Sequence, residues 1–148
     1  MKKDTLAAQN TACLHAVANA LTVDQGLIEF LRELAPQWGS SAGKTRPYSR
    51  LCLQENPGMR CIVRVDSRTA ILLNNELYRH DGPSRSASQL ADALRHPIVD
   101  ETGIRCTVPV GDTGAITISV DQYADEDGNE VAPDSPMFHH RIISIMPT

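Results

Sequence analysis

The feature that most limits how this chain can fold is a change of hydrophobic period near residue 60. Before it, apolar residues recur at helical spacing; after it, they alternate. Leu6, Cys13, Val17 and Leu21 fall on one helical face, with Leu14 and Ala18 beside them. Thr22 with Gln25 three residues on has a capping-box pattern, opening a second helix whose apolar stripe is Leu27, Ile28, Leu31 and Leu34. Pro36 marks its end, because the residue before a proline is biased away from helical angles.

From Arg60 the period is two. "RCIVRV" sets Cys61, Val63 and Val65 against Arg60, Ile62 and Arg64 on the opposite face. "DSR" reads as a turn, "TAILL" as a second strand, "NN" as a tight turn and "ELYRH" as a third strand. Ser86 and Gln89 repeat the capping pattern ahead of a helix at 87–95. "IRCTVPV" and "AITISV" alternate again, and Pro109, lacking an N–H, suits an edge. Asp127-Gly128 signals a hairpin, and "RIISIM" reads as a closing strand. The expectation is a single compact α+β domain over residues 1–148. It has an N-terminal helical pair (1–38) and a sheet part (60–148) with one inserted middle helix. The sheet is mostly antiparallel, of about five to seven strands.

A chain of 148 residues buries roughly 68–70% of its unfolded surface, enough for a core without staples. With six aromatics, that core must come mainly from Leu, Ile, Val and Ala. "MKKDTLAAQN" lacks the apolar stretch of a secretory signal, and no apolar run approaches the ~18 residues that span a bilayer. The expectation is a soluble cytoplasmic protein that makes no membrane contact. Its four cysteines show no CxxC pair and read as thiols.

Several chemistries can be weighed from spacing. "GSSAGKTRP" (39–47) nearly spells a phosphate loop, but three residues separate Gly39 from Gly43 where that loop needs four. It also follows a predicted helix rather than a strand, and Pro47 opposes a helix after it. A basic connector is the better reading. Cys13 lies early in a predicted helix, and His139 and His140 precede a late strand. Cysteine before histidine resembles the chain order of papain-like hydrolases; that resemblance implies a thiol hydrolase with Cys13 as nucleophile and His139 or His140 as base. Yet Cys13 shares the stripe of Val17 and Leu21, so burial as a small hydrophobe is its simpler role. Cys52 and Cys61 flank a reversal at Asn56-Pro57, which permits a cross-strand pair. No spacing assigns a metal or a cofactor. Thr11, His15 and Asn19 share a polar helix face.

Charge is the remaining signal. Net charge is −4, yet residues 40–80 hold seven basic groups against three acids, whereas residues 99–136 hold nine acids against Arg105. Such segregation steers and orients partners more than it adds affinity. The leading expectation is therefore a non-catalytic binding protein with a protein partner, meeting it through Lys44, Arg46, Arg50, Arg60 and Arg64 or through Asp125, Glu126 and Asp127 in the acidic 121–134 hairpin. The first alternative is the Cys13 hydrolase. The second is a nucleic-acid-binding module using the Arg60/Arg64 strand face, which lacks stacking aromatics apart from Tyr78.

Overall fold

The computed structural model describes residues 2–35, 45–48, 61–76, 95, 97–99, 103–110 and 114–148. Its elements run α1 (Lys2–Val23), α2 (Gln25–Leu34), β1 (Thr45–Tyr48), β2 (Cys61–Asp66), α3 (Ser67–Glu76), β3 (Ile98–Val99), β4 (Ile104–Val110), β5 (Gly114–Ala124) and β6 (His140–Pro147). The strands form one six-stranded sheet in the order β1-β2-β6-β5-β4-β3. All its pairings are antiparallel except β2 with β6. The class is the expected one: an α+β fold with a helical pair, a middle helix and a mostly antiparallel sheet.

The helical pair forms as its apolar spacing requires. Cys13, Leu14, Val17, Ala18 and Leu21 of α1 are buried, as are Leu27, Ile28, Leu31 and Leu34 of α2. The cap differs from the expectation. Asp24, not Thr22, caps α2, its Oδ1 accepting the Leu27 amide proton at 2.7 Å, while the Thr22 hydroxyl donates back to the Asn19 carbonyl. α1 thus runs to Val23, and a single residue turns the chain into α2. Gly26 in the first turn of α2 lets Tyr48 come close, because a Cβ there would stand 2.5 Å from the Tyr48 hydroxyl. Phe30 then packs on the Tyr48 ring at 5.1 Å.

The larger correction concerns "TAILL". It is not a strand but the body of α3, and the "NN" expected as a turn lies inside the same helix. Asp66 decides this. Its carboxylate accepts the Thr69 amide proton at 2.8 Å, which is N-cap geometry directly after β2. From there Thr69, Ala70 and Leu73 are buried at helical spacing. The Asn74 side chain donates to the Leu31 carbonyl at 3.0 Å, tying α3 to the last turn of α2. A five-residue apolar run has no decisive period, and the cap outweighed the reading as a strand. The helix expected at 87–95 and the strand expected at "ELYRH" lie almost wholly outside the described residues.

Which way each strand faces follows from the register. Cys61, Val63 and Val65 of β2 pair with Arg141, Ile143 and Ile145 of β6, and Ile118 and Val120 of β5 pair with Ile145 and Ile143. Ile104, Cys106 and Val108 of β4 continue the row. This face is the core. α1 reaches it through Asn10 and Tyr123, α2 through Phe30 and Tyr48, and α3 through Leu72 against Gly114. All three described helices lie on this one side. "RIISIM", last in sequence, is central in space, so Ile143 and Ile145 are fully buried, each contributing roughly 2 kcal/mol by burial. Pro109 sits on β4 four residues beyond the last β3 pairing, where its missing N–H costs no described ladder bond.

Because Asp66 converts an ambiguous apolar run into α3, Asp66→Ala should cost about 1 kcal/mol, the usual worth of an N-cap. The change is expected as a lower urea midpoint at unchanged slope.

Candidate functional site

The other face of the sheet carries no described helix; it is polar around Arg64 and Arg105, while Ala124, His140 and Ile142 on it are buried. One row of it crosses all six strands in register: Ile98, Arg105, Ser119, Ser144, Arg64 and Pro47. Arg105 and Arg64 are three strand steps apart, roughly 14 Å at the usual inter-strand spacing. Arg105 is exposed; Arg64 is half-buried and donates from Nη1 to the Gln122 carboxamide oxygen at 3.3 Å. The two serines between them are half-buried, and Thr107 and Thr117 extend the polar surface alongside.

Of the basic residues singled out from sequence, the two that are described, Arg46 and Arg64, lie on opposite faces of the sheet. Arg64 lies on the open face. Arg46 pairs with Val65, so it points to the helix face, where its guanidinium stands 5.7 Å from the centre of the Phe30 ring. Lys44, Arg50 and Arg60 lie outside the described residues. Arg105 was not singled out, although the alternation of "IRCTVPV" already turns it outward. Its register with Arg64 depends on the order of the strands, which no local pattern contains.

The acidic connection between β5 and β6 divides by role. Asp125 accepts the amide protons of Asn129 at 2.8 Å and Asp127 at 3.0 Å, closing a turn that uses Gly128 at φ +90°. The Asn129 amide, first among these donors, holds the Asp125 carboxyl below its ordinary range. Asp125 therefore shapes the segment. Glu126, Asp127, Glu130 and Asp134 stand exposed, and no ion pair joins them to Arg64 or Arg105.

Cys13 and His140 lie on opposite faces of the sheet. Cys13 is fully buried on the helix face near Arg141; burial pushes its thiol up, and the Arg141 charge opposes this only in part. His140 pairs with Ala124 and points to the open face. There its Nδ1 meets the His139 Nδ1 at 3.4 Å, while its Nε2 is buried without a partner. A nucleophile and its base need contact at roughly 3 Å, which this placement does not supply for Cys13 and His140. Among the described residues no group of three His, Cys, Asp or Glu side chains comes together as a metal site. Cys61 is buried in the core, and Cys52 lies outside the described residues.

What surrounds Cys13 is a clamp between α1 and the sheet. Arg141, only 1% exposed, donates from Nε to Asn10 Oδ1 at 2.8 Å and from Nη2 to Gln9 Oε1 at 2.7 Å. Asn10 in turn donates to the Tyr123 hydroxyl at 2.7 Å. The guanidinium also lies 5.0 Å from the Phe138 ring centre. Neither Asn10 nor Arg141 stood out in the sequence. The polar stripe that did shows no such role: the Thr11 hydroxyl bonds the Ala7 carbonyl, and His15 and Asn19 are exposed.

Two outcomes are expected. Arg141→Ala strands the buried Asn10 and half-buried Gln9 carboxamides of α1 and should cost roughly 3 kcal/mol in urea unfolding, with faster iodoacetamide labelling of Cys13 as α1 loosens. His140 gives a pH effect. Burial, the largest cause, holds its pKa below 6.5; His139 and Arg64 act the same way, and Asp125 opposes them. The unfolded chain therefore takes up this proton first, so the His140 contribution is complete above about pH 6.5 and lost as pH falls below it. His140→Leu should flatten the acid side of the stability profile in urea titrations at stepped pH.

No helix of the described residues is long and apolar enough to cross a membrane. Comparison with protein-family models, with curated proteins and with solved structures gives no match, so the functional reading rests on the geometry above.

Proposed function

We propose that this chain is a non-catalytic binding protein, and that its contact surface is the open sheet face centred on Arg64 and Arg105. The row from Ile98 to Pro47 carries this reading, because it sets two guanidiniums and two hydroxyls on a face that no described helix covers. The matching partner is an acidic protein segment. Guanidinium groups bond carboxylates in pairs, and serine hydroxyls add acceptor and donor capacity between them. Burial of Cys13 away from His140 weighs against the thiol hydrolase.

Nucleic acid is the weaker reading of the same surface. Base recognition on a sheet uses aromatic platforms, and the two described strand tyrosines, Tyr48 and Tyr123, both point to the helix face. The buried thiols of Cys13, Cys61 and Cys106 support placing the protein in the reducing cytosol.

Amide chemical shifts during titration with a polyglutamate peptide and, separately, with oligothymidylate test the proposal. Polyglutamate should move Arg64, Arg105, Ser119 and Ser144 together and lose its effect at high salt. Arg105→Glu should weaken it by about fivefold, the upper worth of one exposed ion pair. Shifts confined to other surfaces would overturn the assignment of the face. Preference for oligothymidylate would transfer the face to nucleic acid.

A further inference from the structure

We propose that the occupant of the open face is the acidic segment 125–137 of a second copy of this chain. The inference rests on the reading of that face as a binding surface and names its partner. Both halves of the contact are present in one molecule but do not pair with each other there: Glu126, Asp127, Glu130 and Asp134 are exposed, and no ion pair joins them to Arg64 or Arg105.

Apolar contacts complement the charges. The large apolar side chains exposed among the described residues are Val23, Ile98 and Met137. Ile98, 49% exposed, stands next to Arg105 at the end of the basic row. Met137, 63% exposed, follows the four carboxylates in the acidic segment. Each charged half thus carries one apolar side chain that is available for burial.

Symmetry doubles the contact. When the segment of one copy lies on the face of the other about a two-fold axis, the reverse contact forms at once, so every pairing counts twice. Exposed ion pairs are individually weak, and the dimer is correspondingly a weak, salt-sensitive one that forms at high protein concentration.

Sedimentation of the whole chain with a charge swap tests this. Wild type should associate at about 0.1 M salt and dissociate at about 1 M, where the screening length falls from roughly 10 Å to 3 Å. One variant carries Arg64→Glu and Arg105→Glu; the other carries Glu126→Lys and Glu130→Lys, leaving Asp125 to hold its turn. Each alone should associate at least about fivefold more weakly than wild type, and mixing them should restore association, because both interfaces of the mixed dimer are then complementary. Circular dichroism checks that each is folded, and Arg105→Glu alone replaces the first variant if Arg64→Glu disturbs the sheet. A wild type that stays monomeric at 0.1 M salt, or a mixture of folded variants that does not recover, overturns the proposal. Polyglutamate binding separates the two claims: if it still moves the open-face amides of a monomeric wild type, only self-association falls; if it does not, the binding face falls as well.

Discussion

The constraint on which this structure depends is the two-sidedness of its sheet. Successive side chains of a strand point to opposite faces, so an alternating sequence can bury one face completely while leaving the other polar. Here the buried set is Val63 and Val65, Ile143 and Ile145, Ile116, Ile118 and Val120, and Ile104 to Val110 taken alternately. The three described helices cover that set. A one-residue slip in any of these strands would exchange core and solvent positions, which is why the register is held so firmly.

The same two-sidedness sorts the chemistry. Cys13 and His140 lie near the same end of β6, yet Cys13 packs from α1 onto the helix face and His140 faces away, with a layer of backbone between them. Arg46 and Arg64 are separated in the same way: Arg46 is drawn over Phe30, and Arg64 stays on the open side with Gln122. Conversely, Arg105 and Arg64 are far apart in sequence and fall in one row. Chain neighbours are thus divided, and distant residues joined, by parity along the strand and by strand order.

Where the open face meets the connection between β5 and β6, its character changes. Ala124, His140 and Ile142 are buried there, and the Asp125 turn begins. On the opposite face, Arg141 reaches α1 and stacks on Phe138. Arg141 thus anchors the start of β6 to α1, and Asp125 closes the turn that begins the acidic segment. This gives the exposed carboxylates a defined base, so their charge is presented from an ordered turn.

Local pattern determined much of this protein. The two N-terminal stripes, the inward sets of β2, β4 and β5, and the turn at Asp127-Gly128 were all legible, because period and turn chemistry act over a few residues. Two expectations failed where competing short-range signals were close in strength: Asp24 displaced Thr22 as a cap, and Asp66 turned "TAILL" into a helix. Tertiary structure alone decided that β6 is central, that β2 and β6 run parallel, and that Asn10, Tyr123 and Arg141 meet. It also decided that Arg105, rather than Arg46, shares a face with Arg64. The physical reason is that strand order and the pairing of distant segments come from burying every apolar face at once, a condition on the whole chain that no stretch of it can express.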